Sequence, residues 1–120
     1  MADVLALVDD LFFQSKLAET ARLAGVELKT ASTNEALLQA AAENPAATVL
    51  LDLSARSKPL DALAALRGNG VAPKRRVIAF LSHVQTELAE RARAAGCDEV
   101  MPRSKFTQEL PRILREAKGE

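Results

Sequence analysis

Five polar residues stand at or just after the ends of short apolar runs, and their types define the chemistry open to this chain. Asp9 and Asp10 follow Val4 to Val8 (Val-Leu-Ala-Leu-Val), and Asp52 follows Thr48 to Leu51 (Thr-Val-Leu-Leu). Ser82 follows Val77 to Leu81 (Val-Ile-Ala-Phe-Leu), and Arg103 comes after Glu99 to Met101 and Pro102. Carboxylates gathered in one place repel each other, so a proton or a cation must join them. A hard divalent ion such as Mg²⁺ suits three such groups, because it takes oxygen ligands and keeps several waters. A carboxylate is also a workable nucleophile towards a phosphoryl group, with an acyl phosphate as product. That transfer asks mainly for positioning and for neutralisation of the equatorial oxygens. Asp52 is the candidate acceptor, with the Ser82 hydroxyl as hydrogen-bond donor and Arg103 as the cation from the last strand. Any one acid here has a plainer reading, since strand ends lead into turns and Asp10 alone would serve as a helix N-cap. The acid pair, the central acid and the hydroxyl together are far more specific than any of them alone.

The elements that must position these residues are legible in the hydrophobic pattern. The apolar runs at 4–8, 48–51 and 77–81 suit strands buried on both faces. Phe13, Leu17, Ala21 and Ala24 recur at helical spacing, and Gly25 is a helix stop. Val26, Leu28 and Thr30 alternate with Glu27, Lys29 and Ala31 as in a half-exposed strand. Ser32 and Glu35 have the spacing of a capping box that opens a helix through Ala42, ended by Pro45. Pro59 fits a first helical turn, with Leu60, Leu63 and Leu66 as its stripe before Gly68-Asn69-Gly70. A helix is expected over Thr86 to Ala95, closed by Gly96, then a minimal strand over Glu99 to Met101. Phe106, Leu110, Ile113 and Leu114 share one face of a C-terminal helix, with Pro111 expected in or just after its first turn. Five strand-then-helix repeats predict an α/β fold, a parallel sheet with helices on both faces. In such sheets the working site lies beyond the carboxyl ends of the strands, where all five polar residues fall.

Composition narrows the function further. A chain of 120 residues, 48% apolar, is expected to form a single domain over 1–120. Sixteen basic and sixteen acidic side chains balance, and the only aromatics are four Phe, so neither a phosphate-binding footprint nor a base-stacking platform is expected. No nucleic-acid or membrane partner is therefore predicted, as no apolar run approaches the roughly 20 residues of a membrane span. The lone Cys97 and an N-terminus without the marks of a secretion signal lead us to expect a cytoplasmic protein. Cys97 reads as a small buried hydrophobe, the single His83 as a capping or packing residue, and Lys74-Arg75-Arg76 as a solvated edge that discourages strand pairing. Phe12 and Phe13 cannot both face a core from one ideal helix. Nucleotide-binding glycine loops and the Gly-x-Ser-x-Gly elbow are missing from the sequence.

With these residues in view, the chain resembles the receiver domain of bacterial response regulators. The resemblance runs over essentially the whole chain: Val-Leu-Ala-Leu-Val-Asp9-Asp10, Val-Leu-Leu-Asp52-Leu, Val-Ile-Ala-Phe-Leu-Ser82 and Gly96-Cys-Asp-Glu-Val-Met-Pro-Arg103. It implies a doubly wound, flavodoxin-like (βα)5 fold with strand order 2-1-3-4-5. It further implies Mg²⁺ held by Asp9, Asp10 and Asp52, phosphoryl transfer to Asp52 from a histidine kinase or phosphotransfer protein, and Ser82 as the switching hydroxyl. Output would then be a change in binding of a downstream protein through residues 86–118, with no enzymatic turnover. The chain departs from the family pattern in four places. Arg103-Ser104 stands where Lys-Pro is usual, Val100 where an aromatic is usual, and His83 where a small residue is usual. The loop after Asp52 (Leu-Ser-Ala-Arg-Ser-Lys-Pro) lacks a Met-Pro-Gly turn. Arg103 keeps the charge in a bulkier, planar form. These departures define the alternative, a protein-interaction module that docks without phosphorylation. A small Mg²⁺-dependent phosphotransfer enzyme is the weakest reading, with no general acid in evidence beyond His83.

Overall fold

The computed structural model describes residues 1–68, 75–82 and 86–119. Strands and helices alternate through the chain as β1 (Val4–Leu7), α1 (Leu11–Ala24), β2 (Leu28–Ala31), α2 (Asn34–Glu43), β3 (Thr48–Asp52), α3 (Pro59–Gly68), β4 (Val77–Leu81), α4 (Thr86–Ala94), β5 (Glu99–Pro102) and α5 (Arg103–Ala117). All neighbouring strands pair in parallel, in the order β2-β1-β3-β4-β5. The expected flavodoxin-like arrangement is therefore the one formed.

The strands β1, β3 and β4 are buried on both faces of the sheet, which is why their sequences are apolar apart from Thr48 and Asp52. Leu5, Leu7, Val49, Leu51, Val77 and Ala79 pack under α2, α3 and α4. Val4, Ala6, Leu50, Ile78 and Phe80 pack under α1 and α5. Alternation by two along β1 thus feeds two separate cores. Phe13, Leu17 and Ala21 are the buried stripe of α1, and Phe106, Leu110, Ile113 and Leu114 that of α5.

Helix ends follow the local chemistry. Asp10 caps α1 by accepting from the backbone N–H groups of Phe12 and Phe13, and Gly25 closes it in the left-handed region at φ 71°. Phe13 is buried and Phe12 is 90% exposed, the division that an ideal helix requires. The cap of α2 is Thr33 and not Ser32: Thr33 has extended backbone and its hydroxyl accepts from Ala36 N–H at 3.1 Å.

Two further expectations are corrected. Pro111 lies well inside α5, because the helix begins directly after Pro102, earlier than its apolar stripe suggested. The four buried side chains of that stripe hold the helix across the proline. Arg75 does not belong to a solvated edge. It is buried, and its guanidinium donates to the carbonyls of Ala41 (2.9 Å), Asn44 (3.1 Å) and Ala47 (3.0 Å). It serves the C-terminal end of α2, whose cap Asn44 leaves carbonyls without helical partners. Arg76 pairs with Glu99 and Glu116, stitching the start of β4 to β5 and α5. Lys74 and His83 lie outside the described residues.

Candidate functional site

The five candidate residues converge at the carboxyl edge of the sheet, where the strand order reverses between β1 and β3. Asp52 is the last residue of β3, the central strand, and only 2% exposed. One of its oxygens, Oδ1, accepts from Ser54 N–H at 2.9 Å. Its other oxygen, Oδ2, accepts from Arg103 Nη2 at 3.2 Å. Arg103 opens α5, so the end of β5 and the helix start together aim its guanidinium back over the sheet edge. Its second terminal nitrogen, Nη1, stands 3.6 Å from Asp10 Oδ2. The guanidinium therefore spans the acid after β1 and the acid ending β3.

An aromatic floor supports it. The Arg103 guanidinium carbon lies 4.6 Å from the centroid of the Phe13 ring and 5.9 Å from that of Phe80. Phe80 stacks on Phe106 at 4.2 Å, and Phe13 tilts against both rings. A cation over ring faces is favoured electrostatically, most strongly where water is excluded. Three of the four phenylalanines in the chain thus build the seat of one arginine. Lys105, two residues further on, is exposed on α5.

Burial pushes the Asp52 carboxyl above the usual carboxylate range; the Ser54 N–H and the Arg103 charge oppose this, while Asp9 and Asp10 add to it. Asp9 and Asp10 therefore stand within electrostatic reach of Asp52. Asp9 Oδ2 accepts from Arg56 N–H at 2.9 Å, and Asp10 Oδ1 is taken by the N-terminus of α1. An open cleft of about 320 Å³ lies beside Asp9, lined also by Ser32, Asn34, Arg56 and Ser57; Asp52 is not in its wall.

The donor set has the chemistry of a Mg²⁺ site, but its arrangement does not fit one. One oxygen of each acid is fixed on a backbone N–H, and Arg103 stands between Asp10 and Asp52. Among the described residues no three His, Cys, Asp or Glu side chains are grouped so as to hold a metal ion.

Ser82 follows β4 and is exposed, with its Oγ 3.1 Å from Ser54 Oγ. Ser82 N–H also points to Ser54 Oγ, at 3.4 Å. Ser54 escaped the sequence reading. Its backbone position two residues beyond Asp52 gives the acid its N–H donor, and its hydroxyl ties the β3 and β4 ends together. The Asp-x-Ser spacing of an Asx turn was the available signal. Val100, in β5, is half-buried and packs against the core under α2, α3 and α4.

No protein-family profile and no curated protein sequence matches the chain. Solved structures do. The crystal structure of a response regulator receiver domain protein from Clostridium thermocellum has a TM-score of 0.82 at 22% identity, covering 98% of this chain and 94% of that one. The receiver domain of NtrX from Brucella abortus has a TM-score of 0.80 at 20% identity, covering 95% and 96%. A DNA-binding response regulator of the LuxR family from Staphylococcus aureus has a TM-score of 0.81 at 16% identity, covering 98% of both chains. At these identities the likeness is one of fold: the chain has the fold of response regulator receiver domains.

Proposed function

We propose that this chain is a receiver-type module of two-component signal transduction, with Asp52 as the point of covalent input. The observation that supports the reading best is the setting of Asp52. It is a buried carboxylate at the end of the central strand, with a guanidinium on one oxygen and a backbone N–H on the other. In the transfer, a carboxylate oxygen of Asp52 attacks the phosphorus of a phosphohistidine on a kinase or phosphotransfer protein. The P–N bond breaks, its electron pair leaves with the imidazole, and Asp52 becomes an acyl phosphate. Oδ2 is covered by Arg103, so the guanidinium moves from the carboxylate onto the incoming phosphoryl oxygens, a geometry for which its fork is suited. Arg103 Nε, buried and without an acceptor among the described residues, is a further donor for that group. The hydroxyls of Ser54 and Ser82 border the same space and re-pair when the phosphoryl group arrives.

Because Arg103 follows β5 and opens α5, its displacement reaches those two elements directly, and α4 through its packing on β5. Residues 86–118 are accordingly the face that a downstream protein reads, by a shift between two conformations. Exposure of the protein to acetyl phosphate, followed by intact mass, tests the reading: a single phosphoryl group is added to the wild-type chain and none to the Asp52→Asn variant.

A second reading has its own support. Arg103 already bridges Asp10 and Asp52, so the closed site is complete without input. On that reading the same face binds its partner constitutively, and the Asp52→Asn variant binds as the wild type does.

A further inference from the structure

We infer that Arg103 is the resident cation of the acid cluster, a guanidinium standing where a divalent ion would otherwise be needed. The inference deepens the receiver-type reading above and rests on Asp52 being its centre.

Three independent features of the site carry it. The first is position: Nη2 and Nη1 reach Oδ2 of Asp52 and Oδ2 of Asp10, at 3.2 and 3.6 Å, so one group serves two acids. These are the oxygens left over after the backbone has taken the other one of each pair. A Mg²⁺ ion binds its oxygens at about 2.0–2.1 Å and demands near-octahedral geometry. To use these two oxygens it would have to lie against the guanidinium, cation to cation.

The second feature is the seat. Phe13 holds the guanidinium carbon at 4.6 Å, and Phe13, Phe80 and Phe106 form a continuous aromatic packing beneath it. An arginine stacked in this way is pre-organised, and a flexible lysine would not replace it. The third feature is Asp9. Its Oδ2 is committed to Arg56 N–H on the loop after β3. In a metal site that oxygen would be free for the ion; here it braces the loop. The guanidinium offsets one of the three carboxylate charges gathered at this edge.

The test is a Mg²⁺ titration of ¹⁵N-labelled protein, read at the amides of Asp9, Asp10 and Asp52. In the wild type these amides stay in place at millimolar Mg²⁺. In Arg103→Ala they shift saturably, with an apparent affinity at least about tenfold above the wild type, because the oxygens are released and the competing charge is gone. Arg103→Lys serves if the alanine variant does not fold: a mobile ammonium cedes the site, and Mg²⁺ binds more tightly than in the wild type. Saturable shifts at all three amides in the wild type, or variants that bind Mg²⁺ no better, overturn the inference.

Acetyl phosphate with EDTA separates this inference from the reading it rests on. Phosphoryl uptake in EDTA supports both. Uptake that requires added Mg²⁺ overturns the resident cation and leaves Asp52 as acceptor. No uptake under either condition, with the Mg²⁺ titration as expected, overturns Asp52 as acceptor and leaves the resident cation standing.

Discussion

The pairing of Arg103 with Asp52 makes a quantitative prediction about stability. At 3.2 Å the attraction between the two charges is about 5 kcal/mol with an effective dielectric constant of about 20, appropriate to a group at the edge of the interior. Asp52 is almost wholly buried, while the Arg103 side chain keeps 30% of its exposure, so the desolvation cost falls mainly on the acid. Offsetting that cost leaves a coupling of about 2 kcal/mol. A double-mutant cycle isolates it. Arg103→Met strands a buried charge beside Asp10 and costs about 3 kcal/mol, whereas Asp52→Ala removes the desolvated charge itself and costs clearly less. The double variant then lies about 1 kcal/mol below Asp52→Ala in stability. Urea unfolding followed by far-UV circular dichroism is the assay, since the chain has no Trp or Tyr. At a slope of about 2 kcal/mol per molar urea, the coupling is a midpoint difference of about 1 M. Additive single variants, with a coupling near zero, would refute the seating of the guanidinium on Asp52.

Other consequences are more local. Arg75→Met removes the donor to three buried carbonyls and costs about 3 kcal/mol, which urea unfolding would show as a lower midpoint with an unchanged slope. Because the folded-state pKa of Asp52 is raised, the folded wild type holds more protons than the unfolded chain just above the ordinary carboxylate range. Wild-type stability therefore falls relative to Asp52→Asn as pH rises through that window, and the gap closes below it; a pH series of unfolding curves that shows the reverse trend contradicts the burial argument. Burial pushes the Cys97 thiol up to about 11, so a thiol reagent at neutral pH labels it at least about tenfold more slowly in the folded protein than in the urea-unfolded chain, which timed mass measurements would confirm.

Much of this was legible in the chain because the physics that sets it is local. Val4 to Val8, Thr48 to Leu51 and Val77 to Leu81 are apolar on both parities, which only a doubly covered strand requires, and each run ends beside a polar residue. Asp9, Asp10, Asp52, Ser82 and Arg103 all arrive at the predicted edge. What escaped was determined by distance in the chain. Nothing adjacent to Arg75 tells that α2, more than thirty residues earlier, ends with open carbonyls; the basic triplet looked like surface. Nothing near Arg103 shows that Phe13, Phe80 and Phe106 meet beneath it, although each was legible as an apolar position in its own element. The direction of each acid was likewise hidden. Asp10 reads from sequence as either a cap or a ligand, and its cap role fixes the oxygen that is left for Arg103. Pro111 misled because proline marks a helix start only where tertiary packing does not override it, and the stripe of α5 does.

Intact mass after incubation with acetyl phosphate tests Asp52 as the acceptor most directly. One added phosphoryl group on the wild type, absent from Asp52→Asn, is the predicted result. A wild-type chain that stays unmodified with and without Mg²⁺ would contradict it, and would leave the constitutive binding module in its place.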